Sequence, residues 1–92
     1  MPAELVSYST KLNNYSNSDP YKPDYDGIVV AQAINGATAT IYASGNLIVD
    51  VKGNSSDRWD RSSCFVKGGT SLYGLVSSTS NSYAVYYRYK AY

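Results

Sequence analysis

The run Gly27-Ile-Val-Val-Ala-Gln-Ala-Ile34 is β-branched and apolar on both of its alternating faces. That pattern belongs to a central strand covered on two sides. A single open sheet covers only one face, so this strand calls for a second sheet or a neighbouring subunit over the other. Asn35-Gly36 then turns the chain, because both residues tolerate the positive φ of a tight hairpin. Further strands are expected at residues 37–43, 46–51, 63–66, 70–77 and 82–90, punctuated by Ser44-Gly45, Lys67-Gly68-Gly69 and the polar stretch 78–81. In the last strand Tyr83, Val85, Tyr87 and Tyr89 alternate with Ala84, Tyr86, Arg88 and Lys90. The first set is expected to face the core or a subunit contact. No window has helical periodicity and no segment repeats. The fold class is therefore all-β: a small antiparallel β-sandwich or jelly-roll of six or seven short strands. Residues 1–19 are polar, and the stretch up to residue 26 is broken by Pro2, Pro20 and Pro23, so they read as an extended lead-in or linker. A short strand at residues 5–8 is compatible with that reading. The sandwich domain is assigned to residues 20–92.

Ninety-two residues make one domain with a thin core, since a chain this short buries only about 60% or slightly more of its unfolded surface. Eight basic and seven acidic side chains leave a net charge of +1, too little to gather nucleic acid or anionic lipid. No stretch is long and apolar enough to cross a bilayer, and the chain is expected to be soluble. Histidine is absent, which removes the usual general base and the commonest transition-metal ligand. The single cysteine, Cys64, stands before Phe65 and Val66 and reads as a buried thiol. Eleven tyrosines among many Ser, Asn, Gly and Thr residues match the composition of binding surfaces, although tyrosine also suits strands.

Charge is concentrated at one place. Asp57, Arg58, Asp60 and Arg61 surround the only tryptophan, Trp59, and carry four of the fifteen formal charges. In one reading this loop is a receptor site, where the indole offers a flat apolar face and the charged groups supply directional hydrogen bonds. In the other, Trp59 folds back on the sheet or into a subunit contact while the four charges pair on the surface, contributing little. Asp57 and Asp60 as a glycosidase pair are disfavoured, because a loop rarely fixes two carboxyls and two arginines would keep both ionised. Asp19, Asp24 and Asp26 match no full calcium loop. No cofactor or metal is expected, and the two Asn-X-Ser sequons are ordinary for this composition. Tyr86, Arg88 and Lys90 form a second candidate patch, which a solvated sheet face explains equally well.

The order of features resembles a known family. Tyr21-Lys-Pro-Asp-Tyr-Asp-Gly-Ile-Val-Val30 leads into a strand with Thr40-Ile-Tyr42, followed by a glycine-asparagine turn, a polar loop, Phe65-Val-Lys-Gly-Gly-Thr70 and an aromatic last strand. Over residues 20–92 this is similar to the β-sandwich knob that ends bacteriophage fibre proteins, tail fibres above all and some head fibres. The chain departs from that pattern where Ser63-Cys64 replaces valine-proline and Gly69 replaces aspartate. The resemblance implies a homotrimeric virion fibre tip, without enzymatic activity, joined to the rest of the fibre and recognising a bacterial surface glycan or protein. Other functions compatible with the sequence are a capsid-decoration or other virion structural protein, and a small inhibitor of a host protein.

Overall fold

Seven strands form two antiparallel sheets in the computed structural model, which describes residues 9–89. They are β1 (Thr10–Lys11), β2 (Gly27–Ala33), β3 (Thr38–Ala43), β4 (Asn46–Lys52), β5 (Asp60–Val66), β6 (Leu72–Val76) and β7 (Ser82–Arg88). One sheet has the order β1-β7-β2-β5 and the other β4-β3-β6. The expected β-sandwich is thus the observed fold.

Strand β2 is central, as its composition demands. Its inner residues Val29, Ala31 and Ala33 are fully buried against the second sheet. Facing them are Ala39 and Ile41 of β3, Val49 of β4 and Leu72 of β6. Small side chains bring the sheets close: a Cβ on Gly74 would stand 2.7 Å from that of Ala84 and 3.3 Å from that of Leu12. Burial of this kind stabilises by about 25 cal/mol per Å² of apolar surface. The outer residues Ile28, Val30 and Gln32 have no second sheet over them. Val30 is shielded mainly from within its own sheet, where Val85 is its cross-strand neighbour.

Four expectations are corrected. Asn35 and Gly36 do take positive φ, 58° and 78°, but they turn the chain between sheets and do not close a hairpin. Both edges of β2 are already paired, with β5 and β7, so β3 has to join the other layer. Ser44-Gly45, also at positive φ, makes the true hairpin between β3 and β4. On β7 the inner residues are Ala84 and Tyr86, both buried, whereas Tyr83, Val85 and Tyr87 face outward, which excludes the core for that set and leaves the subunit contact as its alternative. The register explains it, since Ala84 and Tyr86 lie opposite the inward-facing Ala31 and Val29.

The third correction concerns the lead-in. The sandwich begins well before residue 20: Thr10 and Lys11 pair with Tyr86 and Val85, and Leu12 is fully buried in the core. A single 3₁₀ turn, Leu12–Asn14, directs that side chain inward. The strand considered at residues 5–8 lies outside the described residues. Cys64 is half-buried at the margin of the core, less enclosed than its neighbours suggested, because β5 is an edge strand.

The approach at residues 21–26 and the turn after β5 meet in space. Tyr21 bridges Leu72 of β6 through two 2.8 Å backbone hydrogen bonds, so the approach crosses from one sheet to the other before entering β2. The Lys67-Gly68-Gly69 turn closes on it. Gly69 N–H donates to the Pro23 carbonyl at 2.6 Å, and Gly68 N–H donates to Asp26 Oδ1 at 2.8 Å.

Candidate functional site

The expected site residues lie at opposite ends of the four-stranded sheet. Asp60 pairs with Ala33 and Arg88 with Gly27, six residue steps apart along β2, or about 20 Å. Residues 57–61 and the patch at Tyr86 and Arg88 are therefore two places, not one.

At the Ala33 end the loop is anchored before it reaches Trp59. Asn35 N–H donates to the Ser55 carbonyl at 2.8 Å, Gly36 N–H to the Gly53 carbonyl at 2.7 Å, and Gly53 N–H to the Ala37 carbonyl at 2.9 Å. Asp60 and Arg61 are not loop residues but the first two of β5. The carboxylates are engaged locally: Asp60 Oδ2 accepts from Asn54 N–H at 2.8 Å, and Asp57 Oδ1 accepts from the Ser55 hydroxyl. Among the described residues no ion pair joins Asp57, Arg58, Asp60 and Arg61, so the four charges do not form the mutual surface pairing expected of a purely structural loop. Arg58 is exposed.

Trp59 is neither free nor buried. It is 39% exposed, and its ring lies 5.2 Å from that of Tyr83 at an interplanar angle of 32°. Such an aromatic contact is worth about 0.5–1.5 kcal/mol beyond area burial, which biases the indole towards this pose. Arg61 lies opposite Gln32 on the outer face, where it lines a shallow groove of about 210 Å³ with Ile28, Val30 and Tyr87. Beyond the groove stands Phe65, 54% exposed, its ring 6.3 Å from that of Tyr89. Apolar and aromatic side chains thus run along this face from Trp59 to Tyr89, with Gln32 and Arg61 among them.

At the Gly27 end, Tyr86 and Arg88 are not on a solvated sheet face. They project from the inner side of β7, and Tyr86 is buried with its hydroxyl donating to the Tyr25 carbonyl. The Arg88 guanidinium lies 4.6 Å from the centroid of the Tyr25 ring. Lys90 lies outside the described residues. Around Tyr86 and Arg88 is a cavity of about 160 Å³, also lined by Tyr21, Pro23, Asp24 and Tyr25. Sequence reasoning missed these four as site residues. Tyrosines flanking Pro23 were a visible signal, but only the crossing of residues 21–26 over the sandwich end brings them to β7.

The second sheet presents a smaller aromatic feature outward. Tyr42 and Tyr73 stack with ring centroids 4.8 Å apart and planes 5° from parallel, and Leu47 and Leu75 are exposed beside them. No group of three or more acidic or cysteine side chains gathers as a metal site among the described residues. No protein family, no characterised protein and no solved structure matches the chain.

Proposed function

We propose that the domain is a non-enzymatic attachment module, the trimeric tip of a bacteriophage fibre, which contacts a bacterial surface glycan or protein through the Trp59 end of its four-stranded sheet. One observation carries the reading: a half-exposed indole packed on Tyr83 where the loop enters β5, with Asp57 and Asp60 engaged locally and Arg58 and Arg61 exposed beside it. Pre-organised aromatic and arginine groups lose little freedom on binding, which is what gives such residues their weight at interfaces. The local hydrogen bonds of the two carboxylates, Asp57 with the Ser55 hydroxyl and Asp60 with the Asn54 N–H, favour recognition over glycan cleavage. Self-association uses the rest of the outer face, where Ile28, Val30 and Tyr87, which line the groove together with Arg61, and exposed Phe65 offer apolar surface, with Lys11 on the neighbouring β1. The module would act at the surface of the virion.

Binding of the fluorescent domain to a panel of bacteria tests this. Wild type should label some strains, Trp59→Ala should label them far more weakly, and Tyr73→Ala on the opposite sheet should match wild type. Equal labelling by Trp59→Ala would remove the site. The other virion reading, a decoration or structural protein, draws on Leu47 and Leu75 exposed beside the Tyr42 and Tyr73 stack. It predicts that the wild-type domain labels no strain and binds assembled particles instead.

A further inference from the structure

Among the described residues, strand β5 is the long sheet edge left unguarded. An open edge pairs readily with a further strand, so proteins close their edges with charge, bulges, short strands or a covering loop. The other edges are closed in these ways. β1 has two residues, β4 carries Asp50 and Lys52 and lies across a register shift at Ile41 and Tyr42, and β6 has five residues, the first bridged by Tyr21. β5 differs. Its seven residues pair one-to-one with β2, from Asp60 opposite Ala33 to Val66 opposite Gly27, without a bulge, and the stretch from Ser62 to Val66 holds neither charge nor proline. Among the described residues its main chain bonds to β2 and otherwise only accepts the Cys64 thiol, on the Phe65 carbonyl at 3.4 Å. Alternate residues therefore aim N–H and C=O groups away from the sheet. Ser62 lies opposite the inward-facing Ala31 and is exposed all the same, because no strand lies beyond it.

The edge is continuous with the Trp59 site, since Asp60 and Arg61 open the strand. Arg61, Ser63 and Phe65 follow one another on the outer face, opposite Gln32, Val30 and Ile28. Arg61 is exposed without an ion-pair partner among the described residues, and Phe65 is exposed as well. Unpaired main-chain groups repeating along a strand are matched over their whole length by another extended polypeptide, which adds to the sheet through the same hydrogen bonds. We propose that β5 takes an extended segment of a partner protein as an antiparallel fifth strand, with an acidic side chain opposite Arg61 and an apolar one, four residues away, opposite Phe65. Antiparallel pairing is the more stable kind, and opposite charges and aromatic–apolar pairs are favoured cross-strand neighbours. A second copy of β5 supplies no such acid, because pairing the two strands over their full length would set Arg61 opposite Phe65. The strand addition rests on the edge alone, and only the bacterial origin of the partner rests on the attachment reading.

The test is a titration of the ¹⁵N-labelled full chain with a seven-residue threonine peptide that carries leucine at its second position, to meet Phe65, and glutamate at its sixth, to meet Arg61. Amide shifts should run along residues 60–66 with a dissociation constant of about 1 mM, weak because a free peptide must be ordered. Lysine in place of the glutamate should weaken binding by about three- to tenfold, and Arg61→Glu should reverse that preference. Methylating the peptide's amide nitrogens at even positions, or at odd ones, gives two further probes. One should bind at least about tenfold more weakly and the other like the parent, because only alternate N–H groups of an added strand face β5. Equal binding by both methylated peptides, shifts away from residues 60–66, or no shifts would overturn the proposal. So would slow hydrogen exchange at every amide from 61 to 66 before peptide is added, which would give the edge to a second copy. The origin of the partner is tested apart from the edge. Protease treatment of a strain that the domain labels should abolish labelling, and labelling that survives would give the site to a glycan, overturning the protein partner while the attachment reading stands. A wild type that labels no strain would remove the attachment reading and the bacterial origin, and the peptides would still decide the strand addition.

Discussion

Trp59 serves both the loop's order and its surface, and a truncation separates the two contributions. Losing the contact with Tyr83 should cost about 0.5–1.5 kcal/mol, a fall in melting temperature of roughly 4–8 °C per kcal/mol for a domain of this size. A core tryptophan would cost about 3–5 kcal/mol. Attachment, by contrast, should weaken on the order of thirtyfold, the value of an aromatic anchor worth about 2 kcal/mol. Thermal melts and cell binding on the same Trp59→Ala protein give both numbers, and a core-sized stability loss would count against the loop as a contact site. Gly27 is the converse case, a residue with no surface role. A Cβ there would collide with the Tyr87 carbonyl and approach the Tyr86 ring at 2.7 Å, so Gly27→Ala should destabilise by about 1–3 kcal/mol. Chemical denaturation checks this, and an unchanged midpoint would mean that β7 can move away.

Among the elements, the N-terminal segment departs most from its sequence reading. Leu12 is fully buried between β6 and β7, so Leu12→Ala should cost about 2–5 kcal/mol, whereas a residue in a free linker would cost nothing measurable. Urea unfolding distinguishes the two outcomes. Removing the chain from Tyr86 onward should abolish folding, because β2 loses its β7 partners at Gly27, Ile28 and Val29, β1 loses the partner of Thr10 and the core loses Tyr86. A truncated protein with unchanged circular dichroism would contradict the topology. The strands were legible because β-branched runs, Asn35-Gly36 and Ser44-Gly45 are local signals. What was not legible is non-local. Asn35-Gly36 reads identically whether β3 pairs with β2 or crosses to the other sheet, and one apolar residue in a polar stretch does not reveal that Leu12 fills the core. The alternation in β7 was visible, but its inward side was decided by pairing with β2. For the same reason Trp59 and Arg61 could be found by composition, while the cavity at Arg88 required two distant segments to meet.

For the whole molecule, the outer face of the four-stranded sheet links size to assembly. A 92-residue sandwich with an exposed phenylalanine and a half-buried isoleucine on that face would gain stability if further copies covered them, as the proposed trimer requires. Light scattering should return three times the 10.0 kDa chain mass, with a melting temperature that rises with protein concentration. Phe65→Lys should shift the mass to one chain, and a wild type already at one chain mass would remove the fibre-tip assembly. Attachment through the Trp59 end is the central claim, and residue-resolved mapping tests it most directly. The ¹⁵N-labelled domain is mixed with envelope fragments from a strain that it labels, and the loss of each amide signal is recorded. The account predicts losses concentrated at residues 57–61 and Tyr83. Losses centred on Tyr42, Leu47, Tyr73 and Leu75, with residues 57–61 unaffected, would contradict it.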